Sequence, residues 1–399
     1  MKVSSNPKKR WFYLLLGTVT MLCIGTIYGW SVLKVPLAEN FGWQASWLAL
    51  AYALGFCAFC MGSAAGSQLP RKIGFRTTLL LGGIAIFAGY ALLSTLDGRN
   101  ILLLYAYFSL LVGGGIGISY PILLAWITDW FPDMQGLCSG VLTMGFGCSA
   151  LLLVKPASKL FQVPNIGWRG TYMFLGFCGL AALLLCALLL RGQPPVQKDN
   201  QAVRSSRNFT ASEAIRHPSF WTLYIYLVFN SILGSTIIAL SYDYCIYLDF
   251  SASTAATLVG MVSAFNGVSR IPFGLLYDRL DRKRMMLVGS CSVTLAALTL
   301  LTATVLGSKL LAVLGLALAG FSYGYGTVLN PNLLRTFFGE RNFPAIFSVS
   351  NTRAVIGSML NPALTQLFVV TGSFATPLTI ALASSGVAFF LQSRIKEPT

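Results

Sequence analysis

The chain has 399 residues, of which 55% are hydrophobic and only 10% charged, with a formal net charge of +16. A soluble chain of this length carries about 25% charged residues, so the composition excludes an ordinary soluble enzyme or binding domain. Nine cysteines fall mostly inside apolar runs, which excludes a disulfide-built secreted scaffold.

Taken in chain order, apolar runs long enough to cross about 30 Å of hydrocarbon lie near 11–33, 46–68, 77–96, 101–128, 137–158 and 170–190. A second set lies near 219–241, 254–277, 285–305, 310–335, 344–370 and 373–393. These predict an all-α membrane protein with twelve transmembrane helices in two six-helix halves. The first run follows "NPKKR" and has no small-residue cleavage site, so it is expected to stay as a helix. Cys57 and Cys60 form a C-x-x-C on the second run, but the chain has one histidine, His217. They read as small packed thiols, and no metal or cofactor is expected.

Between the sixth and seventh runs lies "RGQPPVQKDNQAVRSSRNFTASEAIRH", polar, basic and proline-bearing. The expected organisation is therefore an N-terminal bundle over 1–192, a cytoplasmic linker over 193–217 and a C-terminal bundle over 218–399. The halves echo each other at one offset. "QLPRKIGFR" (Gln68–Arg76) and "LLYDRLDRK" (Leu275–Lys283) superpose at a shift of 207 residues. At the same shift Gly113 meets Gly320, Gly117 meets Gly324 and Phe131 meets Phe338. Two stretches agreeing on one shift indicate internal duplication, the build of a repeat transporter with its site near the bilayer midplane.

The basic residues are distributed by side. With the amino terminus in the cytoplasm, 20 Lys/Arg fall on the inner side and 6 at or near the outer ends. This is the positive-inside pattern, and it predicts both termini in the cytoplasm of a bacterial inner membrane. It argues for a lipid bilayer and against nucleic acid as the partner of the charge. Two arginines remain, Arg270 and Arg353, both within spans.

Placing either guanidinium in a span costs at least about 2.5–3.5 kcal/mol on insertion scales, so such residues mark function. Arg270 lies about 12 Å from the cytoplasmic end at Asp278, at ~1.5 Å per residue, and Arg353 reaches a similar depth from a span running the other way. Ser263, Asn266, Gly267, Arg270 and Gly274 share one helical stripe, expected to face the bundle interior. The twelve Asp and Glu all fall at the cytoplasmic side or near the outer ends. A substrate anion is the expected counter-charge, since the arginine fork matches a carboxylate.

The stretch "GLLYDRLDRKR" (Gly274–Arg284) resembles the major facilitator superfamily signature Gly-x-x-x-Asp-Arg-x-Gly-Arg-Lys, and it joins the second and third spans of a half, as in that family. The resemblance implies a gating and structural role for Gly274, Asp278, Arg279 and Arg282. Asp281 replaces the usual second glycine. In the first-half copy Gly74 is kept, but Arg71 stands where the repeat has Asp278, which predicts a weaker inter-helix lock there.

"GGGIGISYPILLAWITDWFPDMQGLCSG" (Gly113–Gly140) and "RWFYLLLGTVTMLCIGTIYGWSVLKVPLAENFG" (Arg10–Gly42) are similar to the oxalate–formate antiporter branch, to which monocarboxylate transporters are close relatives. The resemblance covers nearly the whole chain. It implies that Arg270, in "NGVSRIPFG", binds a substrate carboxylate, with Tyr28, Tyr120 and Tyr323 around the anion. Thr327 and Ser348 stand where that branch has further aromatics, implying a more open cage and a larger substrate. The branch has a Lys at the position of Asn351, whereas this chain has Arg353, about 200° further around the helix. Arg353 either faces the cavity after a helix distortion or hydrogen-bonds helix carbonyls. A dicarboxylate is expected if both arginines reach the cavity, and a monocarboxylate if only Arg270 does.

The expected function is alternating-access transport of small organic anions such as oxalate, formate, lactate or pyruvate by a monomer. Exchange of one carboxylate for another leads, because no titratable group is expected at the midplane. Proton symport through Asp243 or Glu39 is the alternative. A membrane-embedded enzyme lacks the clustered His, Asp or Glu it needs, and a non-transporting carboxylate sensor would share the same pocket.

Overall fold

The computed structural model describes residues 7–191 and 208–398. Residues 193–207 of the predicted linker lie outside the described residues. Those described form helices and connections, with no strand among them. The principal helices are α1 (Pro7–Ile24), α2 (Ala45–Ile73), α3 (Phe75–Leu93), α4 (Gly114–Thr128), α5 (Gln135–Ser149) and α6 (Gly167–Leu189). They continue as α7 (Ala211–Arg216), α8 (Pro218–Tyr247), α9 (Ala252–Val268), α10 (Arg270–Arg279), α11 (Arg282–Leu306) and α12 (Lys309–Phe338). The last three are α13 (Phe343–Asn351), α14 (Arg353–Thr371) and α15 (Ala375–Arg394).

Among the described residues, 11 helices are long and apolar enough to cross a membrane. Helices α9 and α10 form one such span, interrupted at Ser269. The run predicted at 344–370 is instead two helices, α13 and α14, separated by Thr352. Contacts divide the helices into two compact units: α1 to α6 with α13, and α7 to α12 with α14 and α15.

In the first unit α2 lies along α4 and the π-helical turns Tyr105–Gly113 that precede it. Glycine permits that approach. A Cβ on Gly113 would stand 2.6 Å from the Gly55 carbonyl oxygen, and one on Gly117 would overlap the Phe59 carbonyl. Ser63 Oγ donates to the Gly117 carbonyl at 3.1 Å. Small residues are the means by which membrane helices come close without a hydrophobic driving force.

The second unit repeats the device at the same offset of 207 residues. A Cβ on Gly320 would stand 2.5 Å from the Val262 carbonyl oxygen, and one on Gly324 2.9 Å from that of Asn266. The duplication read from glycine spacing is therefore a duplication of helix packing. Below this contact, Tyr226 Oη lies 2.8 Å from Tyr325 Oη and 3.1 Å from Ser290 Oγ, tying α8, α11 and α12 together.

The two charged turns differ in how they close. Gly74 takes φ +83°, a region that favours glycine. Asp281, its repeat equivalent, has φ −64° and caps α11 by accepting from Arg284 N at 2.8 Å. The turn at Asp281 therefore needs no glycine. Arg71 donates from Nη2 to Asn342 Oδ1 at 2.6 Å, so the eroded copy has its own hydrogen-bonded lock. In the second unit Gly274 is buried, Asp278 and Arg279 are exposed, and Arg282 pairs with Glu397 while lying 5.1 Å from the Phe337 ring centroid.

The described end of the predicted linker is ordered by local chemistry. Thr210 and Glu213 form a reciprocal capping box on α7, at 3.2 and 2.7 Å. Phe209 N donates to the Phe338 carbonyl at 3.0 Å, anchoring the segment to the end of α12. His217 accepts from Ser219 N at 3.2 Å and so starts α8.

Candidate functional site

Arg270 and Arg353 are each the first residue after a helix interruption. Ser269 Oγ donates to the Asn266 carbonyl at 3.2 Å, and Thr352 Oγ1 to the Val349 carbonyl at 2.7 Å. Such back-bonding competes with the helix ladder and bends it. The helix is thus interrupted one residue before Arg353, whose guanidinium hydrogen-bonds a helix carbonyl. Both guanidinium-bearing residues are buried, Arg270 at 2% and Arg353 at 7% exposure.

Both reach α12. A Cβ on Gly324 would overlap Ser269 Oγ and stand 3.3 Å from Arg270 Cγ. Arg353 Nη2 donates to the Gly326 carbonyl at 3.2 Å. At about 100° per residue, Gly324 and Gly326 point roughly 200° apart. The arginines therefore meet opposite flanks of α12. The face left between them carries Tyr323 and Thr327, both half-buried. Tyr323 is seated by Gly234 of α8, where any side chain would overlap the ring. Of the predicted stripe on α9 and α10, Gly267, Arg270 and Gly274 are buried, Asn266 is half-buried and Ser263 is exposed.

In the first unit Tyr28 and Tyr120 are joined through Phe146, at ring-centroid distances of 5.3 and 4.8 Å. Phe59 and Phe347 extend this wall around Tyr120, at 5.6 and 6.1 Å. Gly25, pressed on the Phe146 carbonyl, brings the 3₁₀ segment holding Tyr28 against α5. Asn351 ends α13 in this unit and is half-buried, whereas contacts assign Arg353 to the other unit.

Sequence reasoning missed Phe146, and the repeat contained the signal. At the 207 shift Phe146 is the counterpart of Arg353, and Ser63 is the counterpart of Arg270. The duplicated scaffold thus carries cations in one unit and aromatic or hydroxyl groups at the equivalent places in the other. The second unit thus holds two buried guanidiniums, and the first an aromatic wall. Among the described residues no group of three or more His, Cys, Asp or Glu could hold a metal ion. Asp243 and Glu39 are both exposed.

A family model described as Major Facilitator Superfamily matches residues 14–362 and 248–397. The chain belongs to that superfamily. As a major facilitator protein it is a multi-pass membrane transporter and not an enzyme. It is 28% identical over 398 residues to the oxalate:formate antiporter of Oxalobacter formigenes, covering 98% of this chain and 93% of that one. It is also 30% identical over 193 residues to monocarboxylate transporter 11 of Mus musculus, covering 48% of this chain and 42% of that one. The structure of the proton:xylose symporter XylE matches with a TM-score of 0.75 at 15% identity, covering 98% and 97% of the two chains. At that identity the likeness concerns the fold alone.

This major facilitator transporter is expected to be sensitive to substitution at Gly324. Gly324→Ala would place a methyl group against Asn266 O and Arg270 Cγ, at 2.9 and 3.3 Å. The expected result is about a tenfold loss of transport from a displaced guanidinium, a loss on the order of 1.4 kcal/mol. Initial uptake rates at matched expression check it, and an unchanged rate contradicts the packing argument.

Proposed function

We propose that this protein transports small organic anions bearing one or two carboxylates, exchanging one for another by alternating access. The observation that carries the reading is the pair of buried arginines on opposite flanks of the Tyr323–Thr327 face. Fixed guanidiniums recognise carboxylates by paired hydrogen bonds, and an anion offsets the cost of holding them away from water. The relation to the oxalate:formate antiporter and to monocarboxylate transporter 11 supports the same substrate class. Tyr28, Tyr120 and Asn351 are proposed to complete the site, and Gly274, Asp278, Arg279 and Arg282 to support gating.

In this reading two six-helix halves, joined by the segment 193–217, work as a monomer in a bacterial inner membrane with both termini cytoplasmic. Exchange is favoured over proton symport because the acids suited to carry a proton, Asp243 and Glu39, are exposed rather than set beside the arginines. Proteoliposomes loaded with one carboxylate and challenged with another test this directly. Flux that requires internal carboxylate is the expected result, and flux driven by a pH gradient alone overturns exchange. Binding without flux in either format would make the protein a sensor.

Arg353→Gln separates the substrate classes. It should reduce dicarboxylate uptake about tenfold or more, a charge-assisted hydrogen bond being worth about 1.5–3 kcal/mol, with a smaller effect on monocarboxylates. Equal losses for oxalate and formate would assign Arg353 to structure rather than to substrate.

A further inference from the structure

Resting on the reading above, one more residue of the binding machinery follows from what α10 leans on. That helix starts at the break after Ser269 and packs chiefly against α12. Arg270, Phe273 and Tyr277 recur at intervals of three and four, so one stripe of α10 makes the contact. Phe273 sits 5.1 and 5.5 Å from the ring centroids of Phe321 and Tyr325, and Tyr277 Oη lies 3.0 Å from Thr336 Oγ1. Opposite Arg270 stands Gly324, which gives the arginine stem room but no side chain to hold it. Phe273, one turn further on and wedged against Phe321 and Tyr325, is the apolar anchor nearest to the guanidinium.

The Tyr325 part of that anchor is fixed from two further helices. Tyr325 is fully buried, and among the described residues its Oη bonds to Tyr226 Oη of α8, at 2.8 Å. Tyr226 Oη also meets Ser290 Oγ and the Met286 carbonyl of α11, at 3.1 and 3.3 Å. Gly289 of α11 lies under the ring, where a Cβ would overlap Tyr325 Cζ. A ring in so close-packed a place cannot shift unless its neighbours shift with it.

We propose that Tyr325 is a positioning residue for substrate binding: clamped by Tyr226 and seated on Gly289, it sets the place of Phe273 and, through it, the guanidinium of Arg270. In this assignment Tyr325 touches no substrate. It acts on the carboxylate site from behind α10.

The test is saturable uptake of oxalate, formate and lactate by the purified full chain in proteoliposomes, read beside the melting temperature. Tyr226→Phe removes one oxygen and leaves the Tyr325 hydroxyl without its partner. KM should rise about tenfold with kcat within about twofold, because the interaction lost is one of binding. Gly289→Ala presses on the same ring from α11 and should raise KM in the same direction, which keeps the inference open to test should Tyr226→Phe not fold. Tyr244→Phe is the control. Tyr244 is equally buried and also joins α8 to α11, through the Leu300 carbonyl at 3.1 Å and Thr304 Oγ1 at 3.2 Å. It should lower the melting temperature comparably and leave KM unchanged. An equal rise in KM for Tyr244→Phe would make Tyr325 a structural residue only, and an unchanged KM in either folded test variant overturns the inference. In an Arg270→Lys background, Tyr226→Phe should change the oxalate Kd by less than about twofold, and full additivity overturns the route through Arg270. If the wild type shows no saturable uptake of any of the three acids, the transport reading itself falls. Saturable wild-type uptake with one KM across all variants overturns this inference alone.

Discussion

Arg270→Lys is expected to lower carboxylate uptake about 100-fold or more, two decades corresponding to about 2.8 kcal/mol. The change retains the charge, so a loss of this size would come from geometry. Arginine presents a rigid planar fork that meets both carboxylate oxygens, whereas lysine is a compact, strongly hydrated point charge on a flexible stem. Arg270 is 2% exposed and its stem lies against Gly324, so the fork is held before a substrate arrives. Lysine would lose that pre-organisation and raise the cost of a charge buried in the membrane. Uptake at matched expression and with an unchanged melting temperature is the measurement. Wild-type transport by the lysine variant would remove Arg270 from the binding site.

Gly117→Ala is expected to cause the largest loss of stability among single methyl additions to α4. Its new Cβ would overlap the Phe59 carbonyl and lie 2.8 Å from Phe59 Cα. Backbone cannot move aside as a flexible side chain can, so α2 and α4 must separate. Overpacking of this kind costs about 1–3 kcal/mol. The helix-propensity gain of alanine over glycine, about 0.8–1.0 kcal/mol, offsets only part of it. With a net cost of about 1–2 kcal/mol, a fall in melting temperature of about 2–8 °C is expected in detergent, at roughly 2–4 °C per kcal/mol. Gly114→Ala is the control, because its nearest neighbour, the Ala58 carbonyl oxygen, is 4.0 Å away. Equal melting temperatures for the two variants would contradict a backbone-on-backbone contact at Gly117.

The glycine contacts show why the duplication was readable in advance. Helices that touch through their backbones admit no side chain at the contact, so Gly113 and Gly117 recur as Gly320 and Gly324. Arg270 was readable for a related reason. A cation in an apolar run has few acceptable environments, and its place before "IPFG" matched a known motif. The partner of Arg71 was not legible, because comparing Arg71 with Asp278 pointed to a missing acid rather than to a neutral acceptor. That acceptor, Asn342, is 271 positions away in the chain. Helix α7 was hidden inside a polar stretch whose composition resembled a linker, although Thr210 and Glu213 had capping-box spacing.

The amino-acid sequence alone determined the membrane class, the repeat and the presence of two arginines within apolar runs. Those properties follow from hydrophobic length and from residue types that tolerate no substitute at a close contact or within lipid. Only the tertiary structure decided that helices break at Ser269 and Thr352, that Arg270 and Arg353 take opposite flanks of α12, and that Phe146 unites Tyr28 with Tyr120. A helix break depends on which carbonyls a hydroxyl captures and which neighbours satisfy the rest, and those neighbours come from distant parts of the chain.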